Sequence, residues 1–330
     1  MPIHYATSAL AYTHEADFRQ ERNFGQKVSA TFEFIGVHWR PLGRVLLYLV
    51  APPALLLGIF TALLQSRLLS TLGRLTRQQA QVGRPNPLVV QRAMLNLTVQ
   101  NPLYYFNIVL GVVFVAVCIL TVYGYLLRCL RPVGAVAAPI TPAEVWRVVR
   151  GHLVGAFFSL WGIALLLMLG FLVFFFPGLY LGVGLSLFFI VRVVEGTGFF
   201  GTLSRCLYLT RGKWWSTFGM IFSLLALLYT LLFGLSIVLN LALTGLHRAF
   251  SAAGQPWQGG TVFAILVGLL FAAAFFLLYP PLLLGLAFQY FNLVERREAV
   301  GLRQLVAQLG QAPLASPGGP TYHPHEEGEY

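Results

Sequence analysis

The sequence predicts an all-α integral membrane protein: six transmembrane helices arranged as three hairpins, each hairpin preceded by a cytoplasmic interfacial amphipathic helix. Composition is the first observation behind this. Of 330 residues, 57% are hydrophobic and only 10% charged, whereas soluble domains carry about 25% charged residues. That much apolar surface cannot all be withdrawn from water in one globule of this size, so lipid must be part of the solvent. The second observation is run length. Segments 42–64, 103–127, 153–176, 179–194, 215–246 and 262–293 are apolar, and about 20 apolar residues cross the ~30 Å hydrocarbon core. The third is charge placement. With the N-terminus inside, 16 of the 22 Lys and Arg fall on the inner side, which puts both termini in the cytoplasm.

The elements follow in order. Residues 1–23 form an N-terminal cytoplasmic segment without the basic-then-apolar pattern of a signal peptide. The membrane domain covers 24–305. Its first interfacial helix carries Phe24, Val28, Phe32 and Ile35 on one face and ends in Trp39-Arg40 at the membrane boundary. The first span contains Pro52-Pro53, and the last contains Pro280-Pro281. Each pair lies about 11 or 12 residues from its helix's inner end, near the midplane at 1.5 Å per residue, where proline kinks a helix. The first outer loop, 66–102, holds five of the six outer arginines and is expected to carry a surface helix over 68–79.

The second interfacial stretch opens on Thr141-Pro-Ala-Glu144, a capping-box pattern with Pro at the first helical position, and continues through Trp146-Arg147. Phe176-Pro177-Gly178 marks an outer hairpin turn, and Gly178-Leu-Tyr-Leu-Gly182 a short stripe for close helix packing. The third interfacial helix spans 199–209 and leads to Lys213-Trp214-Trp215. Trp39, Arg40, Trp146, Arg147, Lys213, Trp214 and Trp215 are the expected interfacial anchors, since Trp suits the headgroup level and basic side chains reach phosphates. Residues 306–330 form a Pro/Gly-rich tail expected to be disordered.

Glu195-Gly-Thr-Gly-Phe-Phe-Gly201 contains G-x-G-x-x-G, yet it follows a membrane span rather than a Rossmann strand. No acidic residue occurs between Glu195 and Glu295, so the carboxylate that would hold a ribose is missing. The glycines read instead as a sharp turn along the membrane surface.

The net charge of +11 points to anionic lipid headgroups rather than nucleic acid, because the excess sits in inner loops. Acids are scarce: Asp17 is the one aspartate, and between Phe34 and Val294 only Glu144 and Glu195 are acidic. Hydrolysis by paired carboxylates, two-metal chemistry and a Ser-His-Asp triad all need convergent carboxylates. The seven histidines are scattered, and Cys118, Cys129 and Cys206 match no zinc spacing. No catalytic, cofactor or metal site is expected. Arg192 and Glu195, at i and i+3 on one helix, read as a helix-end ion pair or as a polar site at the cytoplasmic mouth. Asn107, Thr121, Asn240 and Gln289 are polar groups within spans, suited to interhelical hydrogen bonds.

Two stretches carry a family resemblance. Val194-Glu-Gly196 followed by Ser204-Arg-Cys-Leu-Tyr-Leu-Thr-Arg-Gly-Lys-Trp-Trp-Ser-Thr-Phe-Gly219, and the closing Tyr290-Phe-Asn-Leu-Val-Glu-Arg-Arg-Glu-Ala-Val-Gly-Leu302, resemble the membrane domain associated with glycerophosphoryl diester phosphodiesterases. The 22–34 region is similar to stand-alone bacterial members. The resemblance implies a polytopic bacterial inner-membrane protein without the catalytic β/α barrel. The expected function is therefore non-enzymatic: a membrane module that binds lipid or a membrane-protein partner through its basic cytoplasmic face. The alternative is a transporter or permease-like protein with a midplane site near the kinked first and sixth helices.

Overall fold

In hydrocarbon every backbone N–H and C=O must find a partner within the chain, and helices achieve this locally. The computed structural model describes Tyr12, residues 15–82, 99–130, 140–252 and 260–301, and isolated positions between 88 and 96 and at 303 and 306. Among the described residues there are ten helices and no strand: α1 Glu15–Phe18, α2 Phe24–Leu49, α3 Ala51–Val82, α4 Pro102–Cys129, α5 Pro142–Val173, α6 Phe175–Leu185, α7 Phe188–Glu195, α8 Phe199–Thr210, α9 Trp214–Ala252 and α10 Gly260–Glu298. Five stretches are long and apolar enough to cross a membrane: Ala51–Leu75, Pro102–Cys129, Pro142–Val173, Phe175–Glu195 and Trp214–Ala242. The sixth expected span falls within α10, which is not among these five. The tail after 306 lies outside the described residues.

The core sits at one end of the bundle. Buried positions fill 116–126 of α4, half of α7 and 283–295 of α10, whereas 102–109 of α4 and 225–231 of α9 are mostly exposed. An N-terminal aromatic group plugs this end. Phe18 stacks on Phe288 at 5.9 Å, and Tyr12, Phe34 and Phe291 surround them. Arg22 seals the same end: its backbone N–H donates to Asn292 Oδ1 at 2.8 Å, and its guanidinium to the Phe18 and Asp17 carbonyls. The segment before α2 is thus packed into the bundle where it is described.

Helix α2 crosses this end as a strut. Lys27 meets α9 and α10, while His38, about 16 Å further along the helix at 1.5 Å per residue, bonds Tyr125 of α4 at 2.9 Å. Its buried face is Lys27, Ala30, Thr31, Phe34, His38 and Leu42. Of the stripe expected from the sequence, Phe24 and Phe32 are exposed, Val28 is half-buried and Ile35 packs against the core. Lys27, Thr31 and His38 are thus buried with hydrogen-bond partners beside Ala30, Phe34 and Leu42, while Phe24 and Phe32 face away.

Several boundaries differ from the sequence reading. Helix α2 stops at Leu49, and Pro52 and Pro53 occupy the second and third residues of α3. In a first turn proline loses no helical hydrogen bond, so this pair marks the start of a span rather than a midplane kink. Pro280 and Pro281 do lie inside a continuous helix. The expected surface helix over 68–79 is the continuation of α3. Residues 142–150 are likewise the first turns of α5, continuous with its span. Thr141 is the N-cap of α5 and Pro142 follows it, but the capping-box side-chain bond from Thr141 is absent. The expected turn at Phe176-Pro177-Gly178 falls earlier: Phe174 breaks the chain in extended conformation, and Pro177 lies in the first turn of α6. The fourth span is interrupted at Ser186-Leu187.

Gly178 holds the α5–α6 hairpin closed. A Cβ at Gly170 would lie 3.0 Å from the Gly178 Cα, and one at Gly178 would lie 2.5 Å from the Phe171 ring. Gly182 is looser, with Leu167 at 3.8 Å. Gly178→Val should therefore lower stability by about 1–3 kcal/mol, the usual cost of overpacking, while Gly182→Ala should be close to neutral. Thermal unfolding in detergent measures both, and equal effects would contradict the packing described.

Candidate functional site: a basic cleft at the polar end

Gly196, with φ +65°, ends α7 in the left-handed conformation that glycine adopts without strain, and its N–H bonds the Arg192 carbonyl. Gly198 then caps α8, which folds back so that Arg205 returns to the end of α7. This is what the glycines of the 195–201 stretch accomplish. Arg205 Nε donates to both Glu195 carboxylate oxygens at 3.0 Å, and its Nη1 donates to Glu298 at 2.5 Å. Tyr290 donates its hydroxyl to Glu195 at 2.9 Å. Arg205 holds the Glu298 carboxyl below its usual range, and Glu298 in turn raises the guanidinium.

The expected Arg192–Glu195 pair does not form. Glu195 is taken by Arg205 and Tyr290, whose elements are brought to it by the turn and by α10. Arg192 points to α5, where its Nη1 donates to Ser159 at 2.5 Å, and the guanidinium lies against Gly155. The i, i+3 spacing gave proximity of backbone, and a tertiary partner with better geometry prevailed.

Beside this network lies an open cleft of about 170 Å³, lined by Arg211, Gly212, Lys213, Leu293, Arg296 and Arg297. Two elements supply the charge. The α8–α9 turn presents Arg211 and Lys213 around Gly212, whose φ of +75° again needs glycine. The last turns of α10 present Arg296 and Arg297. Arg297 donates to the Arg211 carbonyl and lies over the Tyr208 ring at 4.6 Å, which fixes one wall to the other. Arg296 approaches Glu21 at 3.8 Å. Among the described residues four cations therefore converge with one carboxylate, Glu21, in ion-pair range, and the positive end of the α9 dipole lies at the same mouth.

One turn inward, Lys27 is buried at 2% exposure. Its ammonium donates to Gln289 Oε1 at 2.6 Å and to Ser216 Oγ at 3.4 Å, and Gln289 donates in turn to Thr217 at 3.0 Å. No carboxylate pairs with it among the described residues. Burial, with Arg296 nearby, pushes the lysine down to about 8.

The anchors divide. Trp39, Trp146 and Trp215 are exposed, with Arg40 over the Trp39 ring at 5.7 Å. Arg147 and Lys213 are exposed too, and Lys213 lines the cleft. Trp214 instead stacks on Phe218 at 5.2 Å and on Tyr180 at 6.2 Å. Sequence reasoning singled out Lys213 and Gln289 but missed Lys27, Arg205, Arg296, Arg297 and Tyr290 as members of one site. Lys27 was legible as one of only two lysines in the chain. Among the described residues no three His, Cys, Asp or Glu gather as a metal-ligand set. No family model, curated protein or solved structure matches the chain.

The network predicts a specific coupling pattern. Glu195→Ala and Arg205→Ala should be non-additive by about 1–3 kcal/mol in detergent unfolding, as for residues in one ion-pair network. Glu195→Ala and Arg192→Ala should add within about 0.5 kcal/mol. The reverse pattern would place the ion pair within α7.

Proposed function

We propose that the chain is a non-enzymatic, multi-pass membrane protein that holds anionic phospholipid headgroups in the basic cleft. The observation that carries this reading is the cleft itself: Arg211, Lys213, Arg296 and Arg297 around about 170 Å³, with the apolar Leu293 beside them. Arginine and lysine together recognise phosphate oxygens through charge-assisted hydrogen bonds. Exposed Trp215 and the lipid-facing side chains of α9, such as Phe222 and Tyr229, continue from the same mouth and offer acyl chains a surface. In this reading the polar end is cytoplasmic in a bacterial inner membrane, in keeping with the charge distribution and the family resemblance, and α2 and α8 lie at the interface. The same basic face is where a membrane-protein partner would dock through lipid.

A permease-like reading draws on the interrupted fourth span at Ser186-Leu187 and on Pro280-Pro281 inside α10. It lacks the matched pair of midplane breaks, since Pro52-Pro53 begin a helix.

The headgroup reading has a direct test. Each basic residue near an anionic surface contributes about 1 kcal/mol. The triple variant Lys213→Ala/Arg296→Ala/Arg297→Ala should therefore bind short-chain phosphatidylglycerol about 100-fold more weakly than the unaltered chain. Arg147→Ala/Arg150→Ala, away from the cleft, should change little. Titration in neutral detergent micelles, read by native mass spectrometry, decides it: equal loss in both variants would reduce the cleft to diffuse surface charge.

A further inference from the structure

Residues 213, 216 and 217 fall at i, i+3 and i+4 on the first turns of α9, where Thr217 N–H bonds the Lys213 carbonyl. Residues 289, 293, 296 and 297 fall at i, i+4, i+7 and i+8 on α10. The two faces meet along one seam. Its mouth is the basic cleft, and one turn below lie Ser216, Thr217 and Gln289 with the Lys27 ammonium between them. Ser216 is exposed, so it links the buried ammonium to the outside. Lysine has three N–H donors. One is committed to Gln289 at 2.6 Å, and the contact with Ser216, at 3.4 Å, is long.

We infer that Lys27 and the basic cleft form a single site for a phosphomonoester, with the dianionic terminal phosphate at the mouth and Lys27 meeting it from below in place of the Ser216 contact. This rests on the headgroup reading and adds to it the class of headgroup. The donors come from three directions: Arg211 and Lys213 on the turn, Arg296 and Arg297 on α10, and Lys27 on α2. A terminal phosphate has three unesterified oxygens to receive them, whereas a phosphodiester has two and one negative charge. Among the described residues the one carboxylate in ion-pair range of the lining cations is Glu21, at 3.8 Å from Arg296, so the surplus charge also favours a dianion over a monoanion. Lys27 stays within the protein as a cation near neutral pH, held by two neutral oxygens and lacking a carboxylate among the described residues. A buried cation without a counter-charge is costly, and a ligand phosphate supplies that counter-charge.

The test uses the full chain in neutral detergent with three probes: dioctanoyl phosphatidate, dioctanoyl phosphatidylglycerol and glycerol phosphate. Phosphatidate should bind about tenfold more tightly than phosphatidylglycerol, the effect of one additional charge-assisted hydrogen bond. Lys27→Met should weaken phosphatidate binding about tenfold more than phosphatidylglycerol binding and so collapse that preference. Given that preference for phosphatidate, glycerol phosphate matching it assigns the site to a soluble phosphomonoester, and weaker binding by glycerol phosphate assigns the lipid. Equal binding of phosphatidate and phosphatidylglycerol by the unaltered chain would overturn the inference while leaving the headgroup reading intact. Binding of no probe would overturn both. A second readout needs no variant: the phosphorus-31 shift of bound phosphatidate should keep its dianion value as the pH is lowered from about 7.5 to about 6, because adjacent cations favour the charged form. A shift that follows the free lipid would overturn the inference.

Discussion

Glu195 is the carboxylate on which the polar end depends. It accepts Arg205 from α8 and Tyr290 from α10 while standing at the end of α7, so three elements meet on one side chain. Between Phe34 and Val294 the only other acid is Glu144, and few alternative partners exist for an arginine drawn inward. Helix association inside a membrane lacks the hydrophobic drive available in water and relies on packing and polar contacts. A carboxylate shared by three helices is therefore a strong organising contact. Its placement depends on Gly196, whose left-handed conformation turns the chain so that Arg205 arrives where Glu195 is.

The basic cleft follows from that tie. With Arg205 engaged by Glu195 and Glu298, it also lies beside Tyr208, whose ring carries Arg297. Arg297 in turn reaches the Arg211 carbonyl across the cleft. Arg297 is thus held by a ring and a carbonyl, which leave its charge in place. The N-terminal strut completes the arrangement from behind, with Phe18 and Arg22 packed on α10 and Lys27 set between α9 and α10.

Much of this architecture was legible in the sequence. The apolar runs marked the helices, and Gly196 marked the turn after α7, because composition and glycine conformation act locally. Helix boundaries were harder. Pro52 and Pro53 fit either a kink or a first turn, and only the position of the break at Val50 separates these. On α2, Phe24 and Phe32 face outward while Ile35 packs inward, because an apolar side chain in lipid faces away from the core as readily as toward it. The Arg192–Glu195 pairing failed for a different reason: i, i+3 spacing reports neighbours on one helix, and the winning partners lay 10 and 95 positions along the chain. Lys27 belongs to the same class, since Gln289 is 262 positions away. Sites assembled by such distant contacts leave only unusual residue types as a trace in the sequence.

The central claim is that anionic headgroups occupy the cleft between the α8–α9 turn and the end of α10. A phosphatidate analogue carrying a diazirine near its glycerol, photolysed in vesicles containing the full chain, tests it most directly. The account predicts crosslinks concentrated on the peptides covering 211–218 and 289–297, and their loss on adding excess unlabelled phosphatidate. Crosslinks spread evenly along the lipid-facing helices, or gathered around Arg147 and Arg150, would contradict it.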